Sequence, residues 1–270
     1  MPELGEVEYF RKQWGKGLNK KVLAAELNAD KKIFRGTDAP ALREALRGAK
    51  LIGSEAHGKQ MLFRFSKGGW LGIHLGMTGK LRVGAAGAAR LKHDHLVLRQ
   101  EGQSLILSDP RQFGRVLFHH GKEAPDWWRD RPVEILSAQF TLKMTGQFLL
   151  RHGRAPIKAV LLLQSGFPGI GNWMADEILW QAKIHPRRPA GGMRPEEVRR
   201  LFVKTKHICR VALRIVGGHD GDLPETWLFG RRWGRGGRCP ADGAALERAT
   251  VGGRTTCWCP CCQRAGEEFN

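Results

Sequence analysis

The chain has no run approaching the roughly 20 apolar residues needed to cross a bilayer. Its opening, Met1-Pro2-Glu3, carries neither the basic nor the apolar region of a secretory leader. Both absences point to a cytoplasmic protein. No internal repeat is present, which excludes solenoids and propellers. Acidic residues are in short supply: 26 Asp and Glu stand against 45 Lys and Arg, a formal charge of +19. The cations spread from Arg11 to Arg264. They therefore describe a basic folded surface, which attracts polyanions, nucleic acid first among them. Charge alone supplies a partner and no chemistry, and a ribosome-associated basic protein would share it. Cysteine is missing before Cys209, and five of the six cysteines fall between Cys239 and Cys262. In a reducing compartment such a cluster reads as metal binding before disulfides. Cys209, inside an apolar helical pattern, reads as inert core.

What is present divides the chain of 270 residues into two halves and a tail. Short apolar runs at 21–27, 60–65, 71–75, 95–99, 104–107 and 115–118 are punctuated by Gly68, Gly69, Gly79 and Gly102. That pattern predicts an antiparallel sandwich or barrel. Val7, Phe10 and Trp14 keep helical spacing, and a second helix starts at Pro40 and stops at Gly48. After a proline-bounded connector at 125–132 the period changes. Apolar positions at 140–149, 157–163, 173–184 and 198–216 predict four helices joined by Gly and Pro turns. A glycine- and arginine-rich remainder ends in the cysteines. The expected units are 1–124, 125–220 and 221–270: a β-rich half, a helical half and a small metal-bound hairpin.

The N-terminus holds the unusual chemistry. Removal of Met1 exposes Pro2 as a secondary α-amine, which titrates near about 7.7 to 8.0, so a useful fraction is neutral and nucleophilic at physiological pH. Attack on the anomeric carbon of a sugar expels the base and leaves an iminium that is charged without a proton. That electron sink acidifies the neighbouring sugar position, so elimination of the 3′ and then the 5′ phosphate can follow. Glu3 and Glu6 stand close enough in sequence to serve the proton transfers.

The opening Met1-Pro2-Glu3-Leu4-Gly5-Glu6-Val7-Glu8 resembles that of the formamidopyrimidine-DNA glycosylase and endonuclease VIII family. The resemblance continues in order through Lys59, His74 with Met77 and Gly79, Lys92 to His95, Asp109-Pro-Arg111-Gln112-Phe113-Gly114, Gly169-Ile-Gly-Asn172, Ile184-His-Pro186 and the terminal cysteines. It implies an α+β fold: an N-terminal β-sandwich flanked by helices, then a helix-two-turn-helix domain with a zinc-finger β-hairpin. It implies a bifunctional glycosylase and abasic-site lyase that removes oxidised bases and cleaves by β,δ-elimination. Double-stranded DNA with oxidised bases or abasic sites is the implied partner, for a monomer associated with the bacterial nucleoid.

The resemblance also assigns roles. Pro2 is the nucleophile, Glu3 the acid that opens the deoxyribose ring, and Lys59 the cation at the phosphates beside the scissile sugar. Read alone, Lys59 could equally be a solvated lysine at a strand end. Met77 and Phe113 match wedge residues that fill the gap left by an extruded base, and Arg111 matches the donor to the orphaned partner base. Buried core is the alternative for Met77 and Phe113, although Gly76, Gly79 and Gly114 beside them favour projection from the sheet. His93 and His95 read as structural. The turn at 165–171 offers backbone amides at a helix N-terminus, a phosphate cradle in which Asn172 contacts the DNA backbone; a plain interhelical turn is the other reading. Cys259 and Cys262 match the second pair of the family's metal hairpin, and Cys239 the first ligand. Asp242 stands where a fourth cysteine is usual, giving a three-cysteine, one-aspartate zinc site, with Cys257 or Cys261 as alternatives. Arg254 corresponds to the finger's phosphate-binding arginine, or is one more exposed cation.

Three departures matter. Gly5 replaces the family's proline and loosens the segment that holds Pro2, Glu3 and Glu6. Gln112 replaces a second arginine. The stretch 217–237 is short beside the loop that caps 8-oxoguanine in purine-specific members, which implies weaker action on 8-oxoguanine than on formamidopyrimidines, hydantoins or abasic sites. A noncatalytic, zinc-stabilised binder of damaged DNA would keep the wedge, the cradle and the finger but need neither a free Pro2 nor Glu3.

Overall fold

Alternation decides which residues of β3 face which way. Met61, Phe63 and Phe65 enter one apolar cluster, whereas Leu62 joins a separate one with Trp70 and Trp128. The strand is thus buried on both faces around Leu62, which explains the continuous apolar run Met61-Leu62-Phe63, while Gln60 and Arg64 are exposed. The computed structural model describes residues 1–234 and 236–265, so the end of the expected C-terminal unit, 266–270, lies outside the described residues. Two compact units emerge, one of Met1–Pro2 and Glu6–Arg131, the other of Glu3–Gly5 and the residues from Pro132 onward.

In the first unit, α1 (Leu4–Gln13) continues into a 3-10 turn that buries Trp14. Next come β1 (Val22–Leu27) and α2 (Ala39–Leu46), the latter capped where the Asp38 carboxylate accepts the Ala41 N–H at 3.0 Å. β2 (Leu51–His57), β3 (Gln60–Phe65), β4 (Gly69–His74), β5 (Lys80–Ala85), β6 (Asp94–Gln100), β7 (Gln103–Ser108) and β8 (Arg115–His120) follow, then the single turn α3 (Asp126–Arg129). They form two four-stranded antiparallel sheets, ordered β1-β6-β7-β5 and β2-β3-β4-β8. Leu81, Leu96, Leu98, Leu105 and Leu107 from the first meet Phe63, Leu71, Ile73 and Val116 from the second in one core. The expected sandwich is therefore present. Two of its strands, β2 and β5, leave no apolar run in the sequence, because glycine, serine and charged residues interrupt their apolar positions.

Pairing fixes which loops share an edge. His57 pairs Gln60, Gln60 pairs His74, His74 pairs Arg115, and Lys80 pairs Ser108. The hairpin at 58–59 and the loops 75–79 and 109–114 thus emerge from one end of the sandwich.

The second unit holds α4 (Leu142–Arg151), α5 (Ile157–Leu161), α6 (Asn172–Ala182), α7 (Pro195–His219) and a hairpin of β9 (Glu247–Val251) and β10 (Arg254–Trp258). Phe140, Phe148, Phe167, Ile178, Leu201 and Ile208 are among its core. Cys209 lies in that core, and burial pushes its thiol far up, so it stays protonated and inert.

Residues Glu3–Gly5 belong to this unit, and Gly5 proves to be a packing residue. A Cβ there would lie 2.8 Å from the Ala212 carbonyl oxygen and 3.0 Å from the Val216 Cβ. The missing side chain lets the start of α1 lie directly on the α7 backbone, which supplies contact where the sequence alone implied looseness. Gly5→Ala should destabilise the unit by about 1 to 3 kcal/mol, the usual cost of overpacking, read as a lower urea midpoint with an unchanged slope.

Candidate active site and nucleic-acid surface

At the edge of the sandwich, the two-residue turn of Gly58 (φ 57°) and Lys59 joins β2 to β3. Lys59 is only 8 % exposed, so it is no solvated strand-end lysine. His74 answers to its charge: burial first, then Lys59 and Arg35, push the imidazole below its usual range, so it is neutral at physiological pH.

Asp109 organises the neighbouring loops. Fully buried, its carboxylate accepts the Thr78 hydroxyl at 2.6 Å, the Gly114 N–H at 2.8 Å and the Arg111 N–H at 3.3 Å. His95 Nε2 lies 2.9 Å from the Asp109 carbonyl oxygen, a structural contact. Close packing leaves no room for side chains at the turn glycines: a Cβ on Gly76 (φ 62°) would sit 2.3 Å from the Phe113 carbonyl carbon. Gln112 takes the left-handed conformation, φ 53°. On this rigid base Met77 is 43 % and Phe113 46 % exposed, with the Arg111 guanidinium 4.7 Å above the Phe113 ring. Two large apolar side chains offered to solvent from fixed loops, with a cation beside them, suit insertion into a stack of bases.

Pro2 and Glu6 are both half-buried. Glu3 is buried, and its carboxylate accepts three N–H groups at the start of α6: Gly171 at 2.9 Å, Trp173 at 3.0 Å and Met174 at 3.1 Å. A helix N-terminus is a natural seat for negative charge. Any Cβ on Gly171 would lie 2.3 Å from the Glu3 Cδ, so the contact requires glycine. The expected cradle is thus corrected at these amides: the anion they hold is the protein's own. The Leu4 N–H also donates to the Gly169 carbonyl at 3.1 Å, which fixes the residue after Glu3.

Asn172 and Arg254 fall close together. Asn172 Nδ2 donates to the Thr255 carbonyl at 2.8 Å, while its buried Oδ1 has no hydrogen-bond partner. Arg254, exposed, opens β10 after the Gly252-Gly253 turn, and Gly252 (φ 59°) presses onto α5, where a Cβ would stand 2.5 Å from the Ala159 Cβ.

Beneath them runs a buried ionic network that periodicity did not reveal. Asp176 Oδ1 accepts Lys158 Nζ at 2.5 Å, and its Oδ2 accepts Arg232 Nη2 at 2.6 Å and the Cys257 N–H at 3.2 Å. Lys158 also donates to the Asn172 carbonyl at 2.7 Å. Next along α6, Glu177 accepts Gln181 Nε2 at 2.8 Å and the Phe229 N–H at 3.0 Å. The available signal was a charge interrupting an apolar helical run, at Lys158 and again at 176–177.

Cys239, Asp242, Cys259 and Cys262 bring their ligand atoms within 4.8 Å of one another, a group that could hold a metal ion. Trp180 Nε1 donates to Cys239 Sγ at 3.4 Å and the Cys262 N–H to Cys259 Sγ at 3.3 Å, contacts typical of thiolate ligands. Gln263 braces the knuckle by accepting the Cys259 N–H and donating to the Ile184 carbonyl. Neither alternative cysteine joins the group: Cys257 is buried and Cys261 exposed.

Residues 1–116 match the formamidopyrimidine-DNA glycosylase N-terminal domain, and residues 132–221 match the H2TH domain of the same enzymes. The two matches span most of the chain and define its class, a base-excision glycosylase with a sandwich domain and a helix-two-turn-helix domain. The chain belongs to the formamidopyrimidine-DNA glycosylase family. It is 35% identical to the formamidopyrimidine-DNA glycosylase of Roseiflexus sp. (strain RS-1), over 98% of this chain and 100% of that one. Among solved structures, Lactococcus lactis Fpg bound to abasic-site DNA superposes with a TM-score of 0.88 at 28% identity, covering 97% of this chain and 100% of that one. The same enzyme bound to DNA with an oxidised pyrimidine also gives 0.88 at 28% identity, covering 98% and 100%. Among the described residues no helix is long and apolar enough to cross a membrane.

Glu177 makes the second unit sensitive to pH. Burial pushes its carboxyl up to about 7, against the hydrogen bonds from Gln181 and Phe229. A folded-state value above the unfolded one means that the native state binds the extra proton. Stability is therefore greatest below the unfolded value near 4.5 and declines as pH rises towards 7. Between pH 5 and pH 8, Glu177→Gln should lose less stability than the unmodified protein, by a difference of up to about 3 kcal/mol. Urea unfolding at the two pH values measures it.

Proposed function

We propose that the protein excises oxidised bases from duplex DNA and then cleaves the strand, with the secondary amine of Pro2 as nucleophile. The observation that carries this reading is the seating of Glu3. The residue peptide-bonded to the nucleophile is locked by three N–H groups at a helix start, which keeps the adjacent amine in a defined place. A protein that only bound DNA would have no use for a fixed carboxylate next to Pro2.

The steps follow from the residues. Pro2 nitrogen bonds to the sugar C1′ and gives up its proton, and the base departs with the C1′–N bond electrons and takes up a proton. The C1′–O4′ bond then opens as Glu3 protonates the ring oxygen, and the Pro2 lone pair forms the charged iminium with C1′. Loss of a C2′ proton to a carboxylate pushes electrons towards C3′ and expels the 3′ phosphate; a second elimination expels the 5′ phosphate. Glu3 and Glu6 serve the proton transfers, and Lys59 steadies negative charge on the leaving phosphate. Met77 and Phe113 fill the vacated stack, and Arg111 pairs with the orphaned base. Asn172 and Arg254 hold phosphates. Three thiolates and one carboxylate match the tetrahedral taste of zinc, so Cys239, Asp242, Cys259 and Cys262 would hold structural Zn2+, which ties β10 to the segment before β9 and positions Arg254. The oxidised-pyrimidine and abasic-site complexes of the Lactococcus lactis relative support this substrate class.

Borohydride should convert the iminium into a permanent protein-DNA adduct on duplex carrying an oxidised base, and a tag placed ahead of Pro2 should abolish it. An adduct that persists with a blocked Pro2 would overturn the assignment, and intact mass should show Met1 removed. Elemental analysis of the purified protein should find one zinc per chain, and Asp242→Ala should release it to a chelator at least tenfold faster.

A further inference from the structure

Phe113 and Trp233 are the two exposed Phe or Trp side chains among the described residues. Phe113 has a place in the scheme above. Trp233, the more exposed at 59 %, has none. We propose that Trp233 is the platform on which the base displaced from the duplex stacks before it is excised, an inference that rests on the glycosylase reading.

A large exposed indole on a short segment is ordinarily mobile, and this one is anchored from both sides. The preceding residue, Arg232, is 5 % exposed and tied to the fully buried Asp176 carboxylate by Nε at 3.1 Å and Nη2 at 2.6 Å. Its guanidinium lies 4.5 Å from the indole, a cation–π contact that covers part of the ring. The Phe229 ring meets Trp233 edge-on, centroids 5.7 Å apart, and the Phe229 N–H is held by Glu177 at 3.0 Å. The side chain is braced by both contacts and is still 59 % exposed. Such an arrangement withholds rotamer freedom while leaving more than half of the side chain open, which is what a stacking surface requires.

Its position ties it to the chemistry. Trp173 donates its backbone N–H to the Glu3 carboxylate at 3.0 Å, and the Trp173 ring packs edge-on against Phe229 at 5.0 Å. A continuous row runs from Glu3 through Trp173 and Phe229 to Trp233, all within the second unit. Glu3 is joined directly to Pro2, so the indole stands two ring contacts from the residue next to the nucleophile. A base leaving the helix loses stacking on both faces. An indole restores one of them for any flat base, whatever its hydrogen-bonding edge. This suits an enzyme meeting several oxidised bases, and it offers a surface where a short segment has little backbone with which to enclose one.

The test uses the full chain and two substrates that differ only in having a base to stack: duplex with 5-hydroxyuracil and duplex with a preformed abasic site. Under single turnover, Trp233→Ala should slow base excision by about 5- to 150-fold, the rate equivalent of one lost base-aromatic stack. Abasic-site cleavage, which needs no base, should stay within twofold, and Trp233→Phe should recover most of the excision rate. Equal losses on both substrates would make Trp233 a structural residue and overturn the proposal, as would unchanged excision by Trp233→Ala. Failure of the unmodified protein to cleave abasic sites would instead remove the glycosylase reading beneath it.

Discussion

The start of the chain is held in place by one carboxylate and three backbone N–H groups. The start of α6 presents donors that its own helix leaves unpaired, and Glu3 satisfies them from the far end of the sequence. A helix terminus that elsewhere recruits a phosphate is here spent on fixing the residue beside Pro2. The peptide bond between Pro2 and Glu3 is also where the chain passes from one compact unit to the other. Glycine at 5 and at 171 makes this possible, since each removes a side chain that would collide with its partner.

A second layer of constraint lies under that contact. Asp176 is fully buried between Lys158 and Arg232, and burial pushes the lysine's pKa down even with the carboxylate at 2.5 Å. Buried ion pairs contribute little net stability, because desolvation offsets much of the attraction. Their directionality is what they supply. One carboxylate joins α5, the segment after α7 and the C-terminal hairpin through Lys158, Arg232 and the Cys257 N–H, so the elements that carry Asn172, Arg254 and Trp233 share one anchor.

The sandwich solves a similar problem with Asp109, whose carboxylate ties two loops from below and leaves Met77, Arg111 and Phe113 outward. In both units, a buried acid accepting hydrogen bonds makes irregular backbone rigid enough to offer apolar or cationic side chains to a ligand.

By itself the sequence determined the succession of sheet and helix, because apolar periods of two and of 3.6 are local properties of the chain. It also determined the identity of the motif residues, from Pro2 to Cys262, because they recur in a recognisable order. β2 and β5 escaped it, since glycine, serine and charged residues interrupt their apolar positions. Only the tertiary structure decided that Lys59 is buried, that Gly5 is a packing residue, and that the α6 amides hold Glu3. It alone brought the expected Asp242 together with the three cysteines and left the alternatives Cys257 and Cys261 out, and it put Trp233 in line with Glu3. Each of these depends on which residues distant in sequence become neighbours, and burial, hydrogen-bond geometry and the electrostatics between them do not exist until the chain has closed on itself.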